Sequence, residues 1–497
     1  MRNFSKLFIT LLLMALPAIS VSAQDNEKEQ EQQPKVWTLE ECLQYGLKNH
    51  PKVIMADSDV KSREASLMSA KAGFDFSLSG GANWRRSKDE RSQGKDGEFI
   101  TSGHSNDSRG ESLSLSKPLF DNKKSLRVKQ SREGLNAAKK DRETTLISLA
   151  SNIKTMYFRA LQAQYMLQVK LETLDGYEKH LKKVESFVEV GTHAPFDITK
   201  AQVNVANARV DLISAKSNLK QALVNVGNAI GIGGPVHIAS LELQELPEFT
   251  GKEKRELLKV ALERPEVKSS EASLKSAKLG LRESKSSHIP TLSASSGYSW
   301  NGDMSPQTHG WNVGVSMSWS LFDGRNTKAS VKSAKASVDR SKASLDNLKL
   351  NIDKEVESSL NDIIDAAQRY KANEILVQQA SESLDLAEGR YDAGLGSPLE
   401  ITDARVDYEK AKGNLVNAYF DCLIAMTTLD STLGHMPKEY NAETSIVAKD
   451  DSEEAEAETE DLSVRIEPMA AEDSEKIDNN GGNGNGKVIA KTMNGNT

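Results

Sequence analysis

The chain tells the same story twice, about 200 residues apart, and this repeat limits its possible folds more than any other feature. In the first copy Asn49-His50-Pro51 opens a helical run, and Phe76-Ser77-Leu78-Ser79 alternates apolar and polar. A second alternating segment ends in Pro118-Leu119-Phe120-Asp121, and a long helical pattern then reaches Gly191-Thr192-His193-Ala194-Pro195-Phe196-Asp197. In the second copy Arg264-Pro265 opens the helix and Thr291-Leu292-Ser293-Ala294 alternates. Trp319-Ser320-Leu321-Phe322-Asp323 closes that strand pair, and Gly394-Leu395-Gly396-Ser397-Pro398-Leu399-Glu400 marks the matching turn. Matched positions are offset by about 214 residues at the prolines, about 202 at Phe120 and Phe322, and about 203 at Gly191 and Gly394. A period this long belongs to a duplicated half-protein and not to a solenoid. The drop in offset places an insertion between the first pair of strands.

The repeats are expected over residues 37–230 and 265–436, joined by a connector over 231–264. Thr38 with Glu41 three residues later has the pattern of a capping box, which starts the first helix. Between residues 123 and 190 only the isolated Gly134 and Gly176 interrupt a helical pattern. Its apolar positions Leu146, Leu149, Ile153, Met156, Leu161, Leu167, Leu171, Leu174, Leu181, Val184 and Phe187 fall at coiled-coil-like intervals. Gly191 reads as a helix C-terminal cap and Pro195 as a first-turn residue of a return helix. The second copy repeats this with a long helix over 326–391 and a return helix from Pro398. Aromatic content is only 5%, too little for one large globular core, so the helices must pack along their lengths in a bundle.

The termini are different in kind. Arg2 and Lys6, the apolar run 7–19 and Val21-Ser22-Ala23 have the layout of a secretory signal peptide over 1–23, followed by a polar linker over 24–36. Cleavage after Ala23 leaves Gln24, so no lipid anchor on a leading cysteine is expected. Residues 437–497 contain 15 acidic and 6 basic residues, which concentrates the chain's net charge of −7 in this segment. Residues 450–461 are strongly acidic and 479–486 are Asn/Gly, so the tail is expected to be disordered, either as a solvated tail or as a cation or partner contact. The two cysteines, Cys42 and Cys422, lie in helical flanks and are read as small buried residues or as a disulfide. The eight histidines show no ligand spacing, so no metal or cofactor is expected. No nucleophile–base constellation or nucleotide loop is present either, so catalysis is not expected.

Four segments decide the function: strands over about 75–85, 109–119, 291–300 and 311–322, each of about 9–11 lipid-length residues. Leu113 and Leu115 alternate with serines, as do Val313, Val315 and Met317 with Gly314, Ser316 and Ser318. A half-buried soluble sheet alternates in the same way. Trp84, Trp300, Trp311 and Trp319, however, lie in or at the ends of these strands, as membrane-interface girdles require, and residues 85–109 form a polar loop. No later window suits a transmembrane helix, so any further membrane contact must be a β-barrel. Four strands do not close one, and open edges are not tolerated in lipid.

Duplicated halves, paired strands and long helices that turn at Gly-x-x-x-x-x-Asp/Glu resemble the TolC-type outer-membrane efflux protein family over about residues 38–434. The resemblance implies a mainly α fold with a membrane β-barrel. In it, long antiparallel coiled-coil helices form a trimeric tunnel, and four strands per chain contribute to a shared twelve-stranded barrel. It implies a passive exit duct in the cell outer membrane, with its tunnel in the periplasm. Its partners would be a periplasmic adaptor and an inner-membrane transporter, as part of an efflux or type I secretion system, with outer-membrane lipid around the barrel and no nucleic acid. It also assigns the adaptor-docking tip to Gly191, Thr192, Pro195, Gly394, Leu395, Gly396 and Pro398. Tyr391 bonded to Asp197 would help hold the tip closed, and Glu400 with Asp403 would line the constriction. A second latch, between an arginine and a threonine, maps to Gly396 and Phe196, which match neither residue type. Read without the resemblance, Asp197 is a first-turn carboxylate and the acidic pair ordinary solvated charges. The rival class is an exported coiled-coil scaffold or periplasmic adaptor with a soluble sheet.

Overall fold

A computed structural model describes residues 35–92, 101–192, 194–240, 254–302 and 308–436; the signal peptide, most of the polar linker and the acidic tail lie outside them. The first repeat runs α1 (Leu39–Asn49), α2 (Pro51–Ala72), β2 (Ser77–Ser92), β3 (Thr101–Phe120), α3 (Asn122–Glu189) and α4 (Pro195–Ile230), after a short strand β1 (Val36–Trp37). The second runs α5 (Lys254–Ala261), α6 (Pro265–Lys285), β5 (Thr291–Gly302), β6 (Thr308–Ser318), α7 (Asn326–Asp392) and α8 (Pro398–Thr432). Between them, β4 (His237–Ile238) pairs in parallel with β1.

Local chemistry sets these boundaries. Thr38 accepts from the Glu41 amide at 3.2 Å while the Glu41 carboxylate accepts from the Thr38 amide at 3.0 Å, which completes the expected capping box. Asp121 caps α3 by accepting from the amides of Lys123 and Lys124, and Asp323 accepts from the Thr327 amide at the start of α7. The Phe-Asp dipeptide that recurs in the sequence is therefore a helix-starting device used once per repeat. At 1.5 Å per residue, the 68 residues of α3 extend for about 100 Å.

The strands depart from expectation. β2 has 16 residues and β3 has 20, against 12 and 11 for β5 and β6. The segment read as a polar loop over 85–109 is largely paired: Arg85 stands opposite Ser108, and the register continues to Ser92 opposite Thr101. Side-chain alternation stops at Trp84, but backbone pairing needs no apolar residues, so the arms extend past the apolar band. The insertion sensed in the repeat offset thus lengthens the first hairpin by adding strand. The second hairpin is shorter than expected at its end, because Trp319, Leu321 and Phe322 follow β6.

The four long strands form one antiparallel sheet in the order β2-β3-β5-β6. On one face serine hydroxyls pair across strands, Ser77 with Ser116 and Ser79 with Ser114 at 2.7 Å, and Ser293 with Ser316 at 2.9 Å. On the other, Leu78, Leu113, Leu115, Val313, Val315 and Met317 are exposed.

The two largest apolar clusters among the described residues hold the helix bodies. The larger joins Leu43 and Leu47 of α1, Leu146, Ile153 and Leu161 of α3, Val226 and Ile230 of α4, and Phe420 of α8. The second joins Leu257 of α5, Val267 of α6, Ile352, Val356 and Ile363 of α7, and Leu429 of α8. α5, read as connector, packs on α7 as α1 packs on α3, so the duplicated order of elements already starts there. Of the heptad-like positions in α3, Leu171 is exposed, and Tyr157, Val169 and Tyr177 are buried in addition. Tyr157 spends its buried hydroxyl on the carbonyl of Ala239, 3.2 Å away, which ties the β1–β4 connector to α3. Cys42 and Cys422 are both buried and free, and burial pushes the Cys42 thiol up to about 11.

Phe420 belongs to the second repeat yet is fully buried in the core built mainly by the first. Phe420→Ala should cost about 3–5 kcal/mol of stability. Denaturant unfolding followed by far-ultraviolet circular dichroism should show the loss as an earlier helical transition.

Candidate functional site: the helical turns and the surfaces they carry

The α3–α4 and α7–α8 turns are built alike. Gly191 and Gly394 adopt φ of 80° and 74°, the left-handed conformation that closes a helix C-terminus. The Thr192 amide donates to the Phe187 carbonyl at 3.0 Å, and the Leu395 amide to the Arg390 carbonyl at 2.8 Å. Pro195 and Pro398 then start the return helices at first-turn positions. Val190, Phe196, Leu395 and Leu399 are exposed here, so the turns carry apolar side chains into solvent. The glycines, the prolines and Leu395 mark the turns in the sequence, but Val190 and Leu399 carry no local signal that would add them to the tip. Gly396 stands where the unmatched arginine latch would map: a Cβ there would lie 3.0 Å from the Tyr391 nitrogen. Phe196 is exposed, so neither position carries a latch of that type.

Tyr391 ends α7 as the largest fully buried side chain of the tip. It packs with Val184 of α3, Ala201 of α4 and Ile401 and Ala404 of α8, and the rings of His180 and Phe187 each lie 5.7 Å from its own. One phenol therefore touches three other helices. Burial pushes its pKa up, and the nearby charges of Asp197 and Asp392 push it the same way, which places the Asp197 carboxylate within electrostatic reach. Lys183 of α3 also pairs with Asp392.

Glu400 and Asp403 are exposed in the first turns of α8. Glu400 faces Arg390 of α7 at 3.4 Å, and its amide is capped by Ser397 at 3.2 Å. Asp407 is exposed four residues beyond Asp403, so the acidic stripe continues along α8; the i, i+3, i+7 spacing was available in the sequence to find it.

Above the tip, α3 and α8 meet along a polar seam. Gln162 donates to Asn417 at 2.9 Å, Lys412 to Glu172 at 2.7 Å, and Lys170 pairs with both Glu409 and, at 3.1 Å, Asp211 of α4. At the sheet, Trp84, Trp300 and Trp311 sit toward the hairpin-tip end. Trp319 lies at the helical end, where its indole donates to the His288 carbonyl at 2.9 Å. Tyr298 and Trp300 rings are 4.4 Å apart, and all four tryptophans are exposed in the single chain.

The family model described as "Outer membrane efflux protein" matches residues 43–232 and 257–435, one stretch for each repeat. The chain is 24% identical to the outer membrane protein TolC of Escherichia coli (strain K12) over 343 residues, covering 65% of this chain and 69% of that protein. It is 24% identical to the pyoverdine export outer membrane protein OpmQ of Pseudomonas aeruginosa over 408 residues, covering 80% of this chain and 85% of OpmQ. The CmeC outer membrane channel of Campylobacter jejuni has the same fold: the TM-score is 0.71 at 17% identity, covering 88% of this chain and 97% of CmeC.

His180 gives the tip cluster a pH signature. Burial, with Arg405 and Lys183 nearby, lowers its pKa from 6.5 to about 4. Between those values the unfolded chain takes a proton that the folded chain refuses, so stability should fall as the pH drops from about 6.5 to about 4. Denaturant midpoints measured across this window should flatten in His180→Phe.

Proposed function

Because this chain belongs to the outer membrane efflux protein family, we propose that it is the outer-membrane exit duct of a tripartite efflux or type I secretion assembly, working as a homotrimer. The observation that carries the trimer is the open four-stranded sheet, apolar on one face and lined with hydroxyls on the other. Among the described residues, β2 and β6 each present an outer edge with no partner strand, which the hydrocarbon layer does not tolerate. Copies must therefore share edges. Two copies give eight strands, an interior filled by side chains; three give twelve and leave a wet lumen lined by the serines.

At the other end, the exposed Val190, Phe196, Leu395 and Leu399 support reading the two turns as the docking surface for a periplasmic adaptor and, through it, an inner-membrane transporter. Tyr391 with Asp197 holds the tip closed from within, and Glu400 and Asp403, extended by Asp407, ring the constriction. Transport through such a duct is passive, and the driving energy comes from the inner-membrane partner. The soluble-scaffold alternative leaves three exposed tryptophans at one end of the apolar face without a purpose.

Detergent-extracted protein should run as a trimer and form channels in planar bilayers, whereas a monodisperse monomer that keeps its β signal would overturn the shared barrel. Truncation after residue 447 should leave both properties intact. Tyr391→Phe should raise conductance, because it removes the hydroxyl proposed to bond the Asp197 carboxylate, a contact worth about 1.5–3 kcal/mol, and adding Asp197→Ala should change little more. Neutralising Glu400 and Asp403 together should weaken cation preference, since carboxylate rings at constrictions set selectivity. Unchanged conductance and selectivity in these variants would move the gate elsewhere.

A further inference from the structure

The two isolated glycines of α3 differ in what surrounds them. At Gly134 a Cβ would meet nothing within 4 Å, but at Gly176 it would lie 2.0 Å from Nη1 of Arg405 and 3.2 Å from its Cζ. Gly176 is a notch in the helix, and a guanidinium from α8 fills it. The same guanidinium pairs through Nη2 with Glu388 of α7, and its Cζ lies 5.6 Å from the centre of the Tyr177 ring. The side chain is only 14% exposed, and its Nε has no hydrogen-bond partner among the described residues. One residue thus binds α7 by charge and α3 by shape and by cation–π attraction.

We propose that Arg405 is a positioning residue of the gate, a lock that seats the α7–α8 hairpin against α3 two turns inside the tip, with Gly176 as its keyhole. This rests on the exit-duct reading. Physical economy favours a lock over a structural filler. An apolar side chain would cover this seam at lower desolvation cost, and a half-satisfied cation is a poor choice for permanent packing. It suits a contact that must open, because a weakly hydrated planar cation stacks well when seated and re-enters water when α8 moves away. Its anchors also lie on different hairpins, Glu388 moving with Arg405 and Gly176–Tyr177 staying with α3, so separation breaks the shape and stacking contacts while the ion pair persists.

The test uses the full-length trimer in planar bilayers, with Arg405→Met, Arg405→Lys, Gly176→Ala and the Gly176→Ala/Arg405→Met pair. Gly176→Ala is the decisive variant: alanine favours a helix interior by about 1 kcal/mol but its Cβ would displace the guanidinium, so a purely structural role predicts a less stable trimer with unaltered gating. The lock predicts the reverse, an open fraction raised about tenfold in Gly176→Ala and Arg405→Met, with a smaller rise in Arg405→Lys. The paired variant should match either single one, because both remove the same contact. Thermal dissociation of the trimer should stay near that of the unsubstituted protein. Wild-type gating in Gly176→Ala, or effects that add in the pair, would overturn the lock while leaving the duct standing. Failure of the unsubstituted protein to form any channel would overturn the duct reading and the lock together.

Discussion

The unpaired backbone along the outer edges of β2 and β6 is the constraint from which the rest follows. A chain in water hides such edges with charge, bulges or a covering helix, but in hydrocarbon each open amide or carbonyl costs several kcal/mol. With four strands per chain, the edges are satisfied only by other copies. In the proposed trimer, joining the sheets would bring the helices below each into register around one axis. The membrane end would then dictate the symmetry on which the helical end operates.

The helical end is graded in firmness. Toward the β1–β4 pair the core is extensive and includes Leu146, Ile153, Leu161, Ile230 and Phe420. At the tip the cluster around Tyr391 has fewer buried members, Val184, Leu384 and Ile401 beside Ala201, Ala387 and Ala404, and the α3–α8 seam between is polar. Small residues bury less apolar area, and exchangeable ion pairs contribute little net stability, so separating the hairpins at the tip costs far less than separating them at the main core. In the proposed duct this gradient would let the body stay fixed while the end moves. The buried tyrosine and arginine would then serve as discrete contacts at the tip.

Much of this was legible in the sequence. The duplicated order, the Thr38 capping box and the glycine turns are local signals, set by caps, φ angles and period, and the structure carries them within a residue or two. The alternating faces were legible for the same reason. The length of β2 and β3 was not, because backbone pairing past Trp84 leaves no periodic trace in residues 85–92. The β1–β4 pair and the role of α5 were also hidden, since each depends on segments brought together from distant parts of the chain.

The sequence by itself determined the elements, their duplication and which faces of the sheet are apolar, because each of these follows from residue type and spacing over a few positions. Only the tertiary structure decided what the elements do to one another. It placed Phe420 in the core of the other repeat, paired Lys412 with Glu172, and set Arg405 in the notch at Gly176. A lone glycine in a long helix reads as a weak point until the helix that crosses it is known. The reason is physical: contacts between residues more than 200 positions apart are fixed by how helices pack and by which volumes they leave empty, and neither quantity is written in local sequence.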